Sequence, residues 1–169
     1  FLIKNGQALM FRKNGFNVLL FDFNGFGESS EGDYNLPADI LAAGSFMKEH
    51  SPGLNTGFYG ISFGAAMGVC ACSDPAQPFR SAVFESAFTT LDEFWKKFFF
   101  PHLIIKYGSY VFPRQAREMR PIEKISSMAN LEKVLWLSGD SDDLIPVEMG
   151  HRFKKESPVP SDYWIVPGA

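Results

Sequence analysis

The sequence predicts an α/β fold, a mostly parallel sheet doubly wound with flanking helices, and three observations carry that prediction. Short segments rich in β-branched and aromatic residues recur at residues 17–21, 57–59, 81–84, 134–137 and 163–166. They are apolar without alternation, as strands covered on both faces are. Helical patterns fill most of the intervals between them, so the strands run in one direction and are joined by crossovers.

Taken in order, the strand expected at residues 17–21 leads into a glycine-rich stretch, Gly25-Phe26-Gly27. Over residues 36–50 the apolar positions Leu36, Ile40, Ala43, Phe46 and Met47 recur at helical spacing, with Asn35 and Pro37 marking the start. Residues 62–72 are dense in small side chains and read as a helix. Residues 146–155 open with Pro146 and close on Lys154 and Lys155, the polarity that a helix prefers. Between the third and fourth strands the alternation breaks. There Thr90-Leu91-Asp92-Glu93 reads as a capping box, followed by a face of Leu91, Phe94, Trp95, Phe98 and Phe99, and Pro101 interrupts the helix. The expected organisation is a core at residues 1–87, a helical insertion at 88–125 and the rest of the core at 126–169.

Composition bounds the class. The chain has 169 residues, 46% hydrophobic and 21% charged, with a formal charge of −3. That is a globular composition, and nothing in the charge balance calls for nucleic acid. No apolar run reaches a membrane-spanning length. Cys70 and Cys72 stand two apart, about 200° around a helix, so they are expected as core thiols rather than a disulfide. Unpaired thiols point to a reducing, cytoplasmic setting.

Gly60-Ile61-Ser62-Phe63-Gly64 is a G-x-S-x-G lying immediately after a strand and immediately before a helix of small residues. That context is what a nucleophile elbow needs. A strand that turns at once into a helix strains its apex residue, and the flanking positions must be small for strand and helix to approach. Gly60 and Gly64 are expected to meet that need, with Ala65 and Ala66 extending the thin face. The turn presents the Ser62 hydroxyl and aims the Phe63 N–H at the oxygen of a bound carbonyl, where one such donor is worth about 3–4 kcal/mol to the transition state. A serine nucleophile needs a base, and the base an orienting carboxylate. After the strand at 134–137 comes Gly139-Asp140-Ser141-Asp142-Asp143, with three carboxylates at the carboxyl end of a parallel strand, where a crevice forms.

From about residue 6 to residue 169 the sequence resembles the α/β-hydrolase superfamily, and its serine hydrolases of the esterase, thioesterase and aminopeptidase type in particular. The matching pieces are residues 15–29, the elbow at Ser62, residues 139–146 and the closing Val166-Pro167-Gly168-Ala169. The family's G-x-x-D-x-x-V-P pattern falls on Gly139, Asp142, Ile145 and Pro146. The resemblance therefore implies that Asp142 is the triad acid and that Asp140 and Asp143 are loop residues. It implies an acyl-enzyme on Ser62 from a small-molecule ester, thioester or amide, with no metal or cofactor. In relatives the base follows the last strand in a stretch like Pro-Gly-Ala-x-His, so the histidine is expected just beyond Ala169. A second oxyanion donor is expected before Phe1, with the family's first strands. The 169 residues alone are then expected to be nearly inactive, because loss of a triad base costs several orders of magnitude in rate.

The aromatic insertion sits where this family carries its lid, and Phe94, Trp95, Phe98 and Phe99 are the candidate substrate-lining residues. Basic residues from Lys96 to Lys124 are read as a solvated face rather than a membrane surface. His50, His102 and His151 do not follow the last strand and are expected to be structural. Gly25-Phe26-Gly27 lacks both a following helix and a third glycine, which argues against a dinucleotide site. The alternative to an enzyme is a binding protein of the same fold that keeps the elbow for packing.

Overall fold

The computed structural model describes residues 6–96, 119–128 and 130–169. Its elements in chain order are α1 (Gln7–Lys13), α2 (Leu36–His50), β1 (Gly57–Ile61), α3 (Phe63–Cys72), β2 (Ser81–Glu85), α4 (Leu91–Trp95), α5 (Pro121–Lys124) running into a 3₁₀ turn (Ile125–Ser127), β3 (Lys133–Gly139), α6 (Val147–Glu156) and β4 (Ser161–Val166). The four strands form one sheet in the order β1-β2-β3-β4, and every pairing is parallel. All four therefore deliver their carboxyl ends to the same edge.

The core lies between one face of the sheet and the helices α3 and α6, with α2 packed outside α3. Phe84 stacks on Trp136 at 4.8 Å and Trp136 on Phe153 of α6 at 4.9 Å, all three fully buried. Burying each such ring is worth roughly 1.5–3 kcal/mol, with a further ~1 kcal/mol for each ring pair. The opposite face carries Tyr59, Val83, Leu135 and Leu137, each half-buried, and Phe11 of α1 meets Tyr59 there at 5.2 Å. Helix α3 is buried nearly all round, which its small side chains permit. Cys70 and Cys72 lie in it buried and not joined in a disulfide, and burial pushes the Cys72 thiol well up.

Several expectations are corrected. Residues 17–21 form no strand. A strand exists only through a neighbour's ladder, and the edge of β1 facing away from β2 pairs with nothing among the described residues. Leu20 and Phe21 are accordingly exposed. Helix α1, which the apolar pattern did not announce, buries none of its residues. The capping box is half made: Thr90 accepts from the amide of Glu93 at 3.1 Å, but the Glu93 carboxylate turns away to accept from the Thr89 hydroxyl and from Arg152. Within the expected insertion, α4 and α5 are described. Phe98, Phe99 and His102 lie outside the described residues.

Candidate active site

Ser62 stands between the last residue of β1 and the first of α3, with φ 52° and ψ −117°. That is a left-handed conformation in which a side chain is strained, and such outliers gather at functional sites. It is held by the backbone on both sides. The Ser62 amide donates to the Glu85 carbonyl at 2.8 Å, and its carbonyl accepts from the Ala66 amide at 3.0 Å. As the first residue of α3, Phe63 carries an amide with no intrahelical acceptor, one of the orphan donors of a helix start.

The glycines around the turn divide differently from the motif. A Cβ at Gly60 would lie 2.8 Å from the Phe58 ring and 2.9 Å from the Ala65 nitrogen, so close approach does require glycine there. Gly64 has nothing within 4 Å of such a Cβ. The tight contact falls instead at Gly68, one helical turn on, where a Cβ would lie 2.1 Å from Phe58. It is the Gly68–Phe58 contact that brings strand and helix together.

Beside the elbow, at the end of β2, Ser86 also adopts a left-handed backbone, φ 49°, and its amide donates to the Leu137 carbonyl at 2.9 Å. At the end of β3, Asp142 accepts from the amides of Leu144 and Ile145, both at 2.9 Å, through the single oxygen Oδ1. The turn after β4 is stitched to this loop: the Gly168 amide donates to Asp140 Oδ1 at 2.7 Å and the Ser141 amide to the Ala169 carbonyl at 2.9 Å. Asp140 thus fastens one loop to another, while Asp142 shapes its own loop through Oδ1. β1 and β3 are two strand spacings apart, roughly 10 Å, so the turn at Ser62 and the loop of Asp142 lie at one edge of the sheet.

Two of the candidate lining residues are described. Phe94 and Trp95 are half-buried on α4, and their rings meet at 4.9 Å. His50 is exposed, stacked on Phe46, and His151 is exposed, edge-on to Tyr163. Neither belongs to the loops at the sheet edge. A hollow of about 730 Å³ lined by Glu93, Lys96, Arg120 and Arg152 does not reach Ser62. Its charges answer one another, Arg152 pairing with Glu93 and Arg120 with Glu123. Among the described residues no group of three His, Cys, Asp or Glu could hold a metal ion, and no helix is long and apolar enough to cross a membrane.

The chain is similar to known proteins in sequence and in fold. A family profile described as the alpha/beta hydrolase fold matches residues 6–103. The chain is 30% identical over 159 residues to the uncharacterised protein Rv2307c of Mycobacterium tuberculosis, covering 91% of this chain and 52% of that protein. It thus spans about half the length of the curated relatives it matches. Among solved structures, the Pyrococcus furiosus esterase Pf2001 superposes with a TM-score of 0.70 at 23% identity, covering 95% of this chain and 66% of that one. A puromycin-hydrolyzing peptidase of Mycobacterium tuberculosis superposes with a TM-score of 0.61 at 19% identity, covering 78% of this chain and 21% of that one.

Proposed function

Since this chain belongs to the alpha/beta hydrolase fold family, we propose that it carries the nucleophile and acid of a serine hydrolase acting on an ester, thioester or amide. The observation that carries the reading is Ser62, a non-glycine residue held at φ 52° between a parallel strand and a buried helix. Strain of this kind costs about 1–3 kcal/mol. A fold retains it where the turn serves chemistry, here the presentation of a hydroxyl beside an unsatisfied helix-start amide. An esterase and a puromycin-hydrolyzing peptidase share the fold, which supports hydrolysis as the class.

In this reading a histidine takes the Ser62 proton as Oγ bonds to the acyl carbon, and the Phe63 amide donates to the oxygen that gains the negative charge. The carbon–heteroatom bond breaks as the same proton passes to the leaving alcohol, thiol or amine. Water, giving its proton to the histidine, then attacks the acyl carbon; the acyl–Oγ bond breaks as the histidine returns that proton to Ser62 Oγ, and the acid is released. Asp142 Oδ2 orients and charge-balances the histidine. None of the described histidines is placed for this. The residues after β4 lie against the loop of Asp142 through Gly168 and Ala169, which supports a base supplied from that direction.

The full-length protein treated with a fluorophosphonate probe is expected to carry one label, mapped by mass spectrometry to Ser62 and absent from Ser62→Ala. Labelling at another residue, or none in the folded protein, refutes the assignment.

A further inference from the structure

We infer that the acyl group taken by this site is an apolar hydrocarbon chain, laid along a strip of aromatic rings that passes the nucleophile; the inference rests on the serine-hydrolase reading above. The rings form an unbroken sequence. Phe21 meets Phe23 at 5.4 Å, Phe23 meets Phe63 at 6.3 Å, Phe63 meets Phe88 at 6.2 Å, Phe88 meets Phe94 at 5.3 Å and Phe94 meets Trp95 at 4.9 Å. They come from four separate places in the chain: the segment before the glycine loop, the start of α3, the loop after β2 and α4. Phe63 follows Ser62 directly in the chain, so the strip includes the nucleophile's neighbour.

Phe88 is only 1% exposed and belongs to the core, while Phe23, Phe63 and Phe94 pack against that core and, like Trp95, keep part of their surface exposed. Phe88 meets both Phe63 and Phe94 and so ties the two together. Rings already packed on one side lose little further freedom when a ligand covers the other, so the water released from them favours binding. Of the charged neighbours in the chain, Asp22 accepts from the amide of Glu28 and Glu93 pairs with Arg152, while Lys96 is exposed at the far end of the strip, next to Trp95. Along the rings themselves the surface is hydrocarbon, and each methylene laid on them leaves water.

The test is the chain-length dependence of kcat/KM on p-nitrophenyl esters of straight-chain acids, measured with the full-length protein. From acetate to octanoate it is expected to rise about two- to fourfold per added methylene. Phe94→Ala and Trp95→Ala are each expected to lower the octanoate-to-acetate ratio by about fivefold or more. Phe46→Ala, whose ring stacks on His50 instead, is expected to keep the wild-type ratio. A wild-type profile that is flat or falls with chain length overturns the inference, whatever the variants do and whether or not they fold. Ser62→Ala separates the two levels. Ser62-dependent turnover with a flat profile removes the apolar acyl group alone, whereas no Ser62-dependent turnover of any ester removes the serine-hydrolase reading and this inference with it.

Discussion

The amide of Ser62 donates to the carbonyl of Glu85 at 2.8 Å, so the turn at Ser62 is anchored to the last residue of the neighbouring strand. The next residue, Ser86, has a left-handed backbone like that of Ser62, at φ 49° against 52°. Two strained serines thus sit side by side at the carboxyl edge of the sheet. The strain belongs to the Cβ, not to the hydroxyl, and this separates structure from chemistry. Ser62→Ala and Ser62→Gly both remove the hydroxyl, but only glycine relieves the backbone. Ser62→Gly is expected to exceed Ser62→Ala in unfolding free energy by about 1 kcal/mol, measured by urea denaturation. Equal stabilities would mean that the turn is unstrained.

Glu85 is also held by its side chain. The Tyr59 hydroxyl, half-buried on β1, donates to Glu85 Oε2 at 2.5 Å. Burial first, and then the hydrogen bond and charge of Glu85, push the Tyr59 phenol well above its ordinary 10.0. A raised folded value means stability that is complete below pH 10 and is lost as the pH rises beyond it, because the unfolded chain releases this proton first. Tyr59→Phe is expected to cost about 1 kcal/mol at neutral pH. It is also expected to flatten the decline of stability above pH 10, read from urea midpoints across that range.

How much of this was legible in the sequence depends on whether a feature is local. The cores of β1 to β4 were, because a continuous apolar run needs no partner to be recognised. Residues 17–21 read the same way and form no strand, because pairing is a property of two segments. Ser62 was legible through its strand–turn–helix setting, and Asp142 was chosen among three carboxylates by resemblance. The structure separates it from Asp140 by what each accepts. Glu93 was legible as a helix-start residue, but not as a partner of Arg152, which is 59 positions away.

That Glu93–Arg152 pair ties α4 to α6, the helix that follows the loop of Asp140 and Asp142. Burial alone would raise the Glu93 carboxyl, but the Thr89 hydroxyl, the Arg152 guanidinium and the Lys96 charge more than offset it and hold it below its ordinary value. A depressed folded value means stability present above the ordinary carboxylate range and lost as the pH falls through the folded value. Arg152→Ala removes the partner and leaves the carboxylate partly buried. It is expected to cost up to about 1 kcal/mol at neutral pH and to shift the onset of acid unfolding to higher pH, followed by circular dichroism. An unchanged acid limb would show that the pair contributes nothing.

The motif treats Gly60 and Gly64 as equals, and the packing does not. Around Gly68 the Phe58 ring has no room to retreat, since it lies 5.6 Å from Phe79 and 5.9 Å from Phe84, ring centre to ring centre, both buried. Gly68→Ala places its Cβ 2.1 Å from that ring. It is expected to destabilise by about 1–3 kcal/mol as the strand–helix contact is pushed apart. Gly64→Ala meets nothing within 4 Å and stands in the first turn of α3. There alanine is expected to be neutral or to stabilise by up to about 1 kcal/mol, because it restricts the unfolded chain and favours the helix. Thermal or urea unfolding of the two variants orders them. If Gly64→Ala proves the more damaging, the elbow depends on the glycine of the motif and not on the Gly68–Phe58 contact.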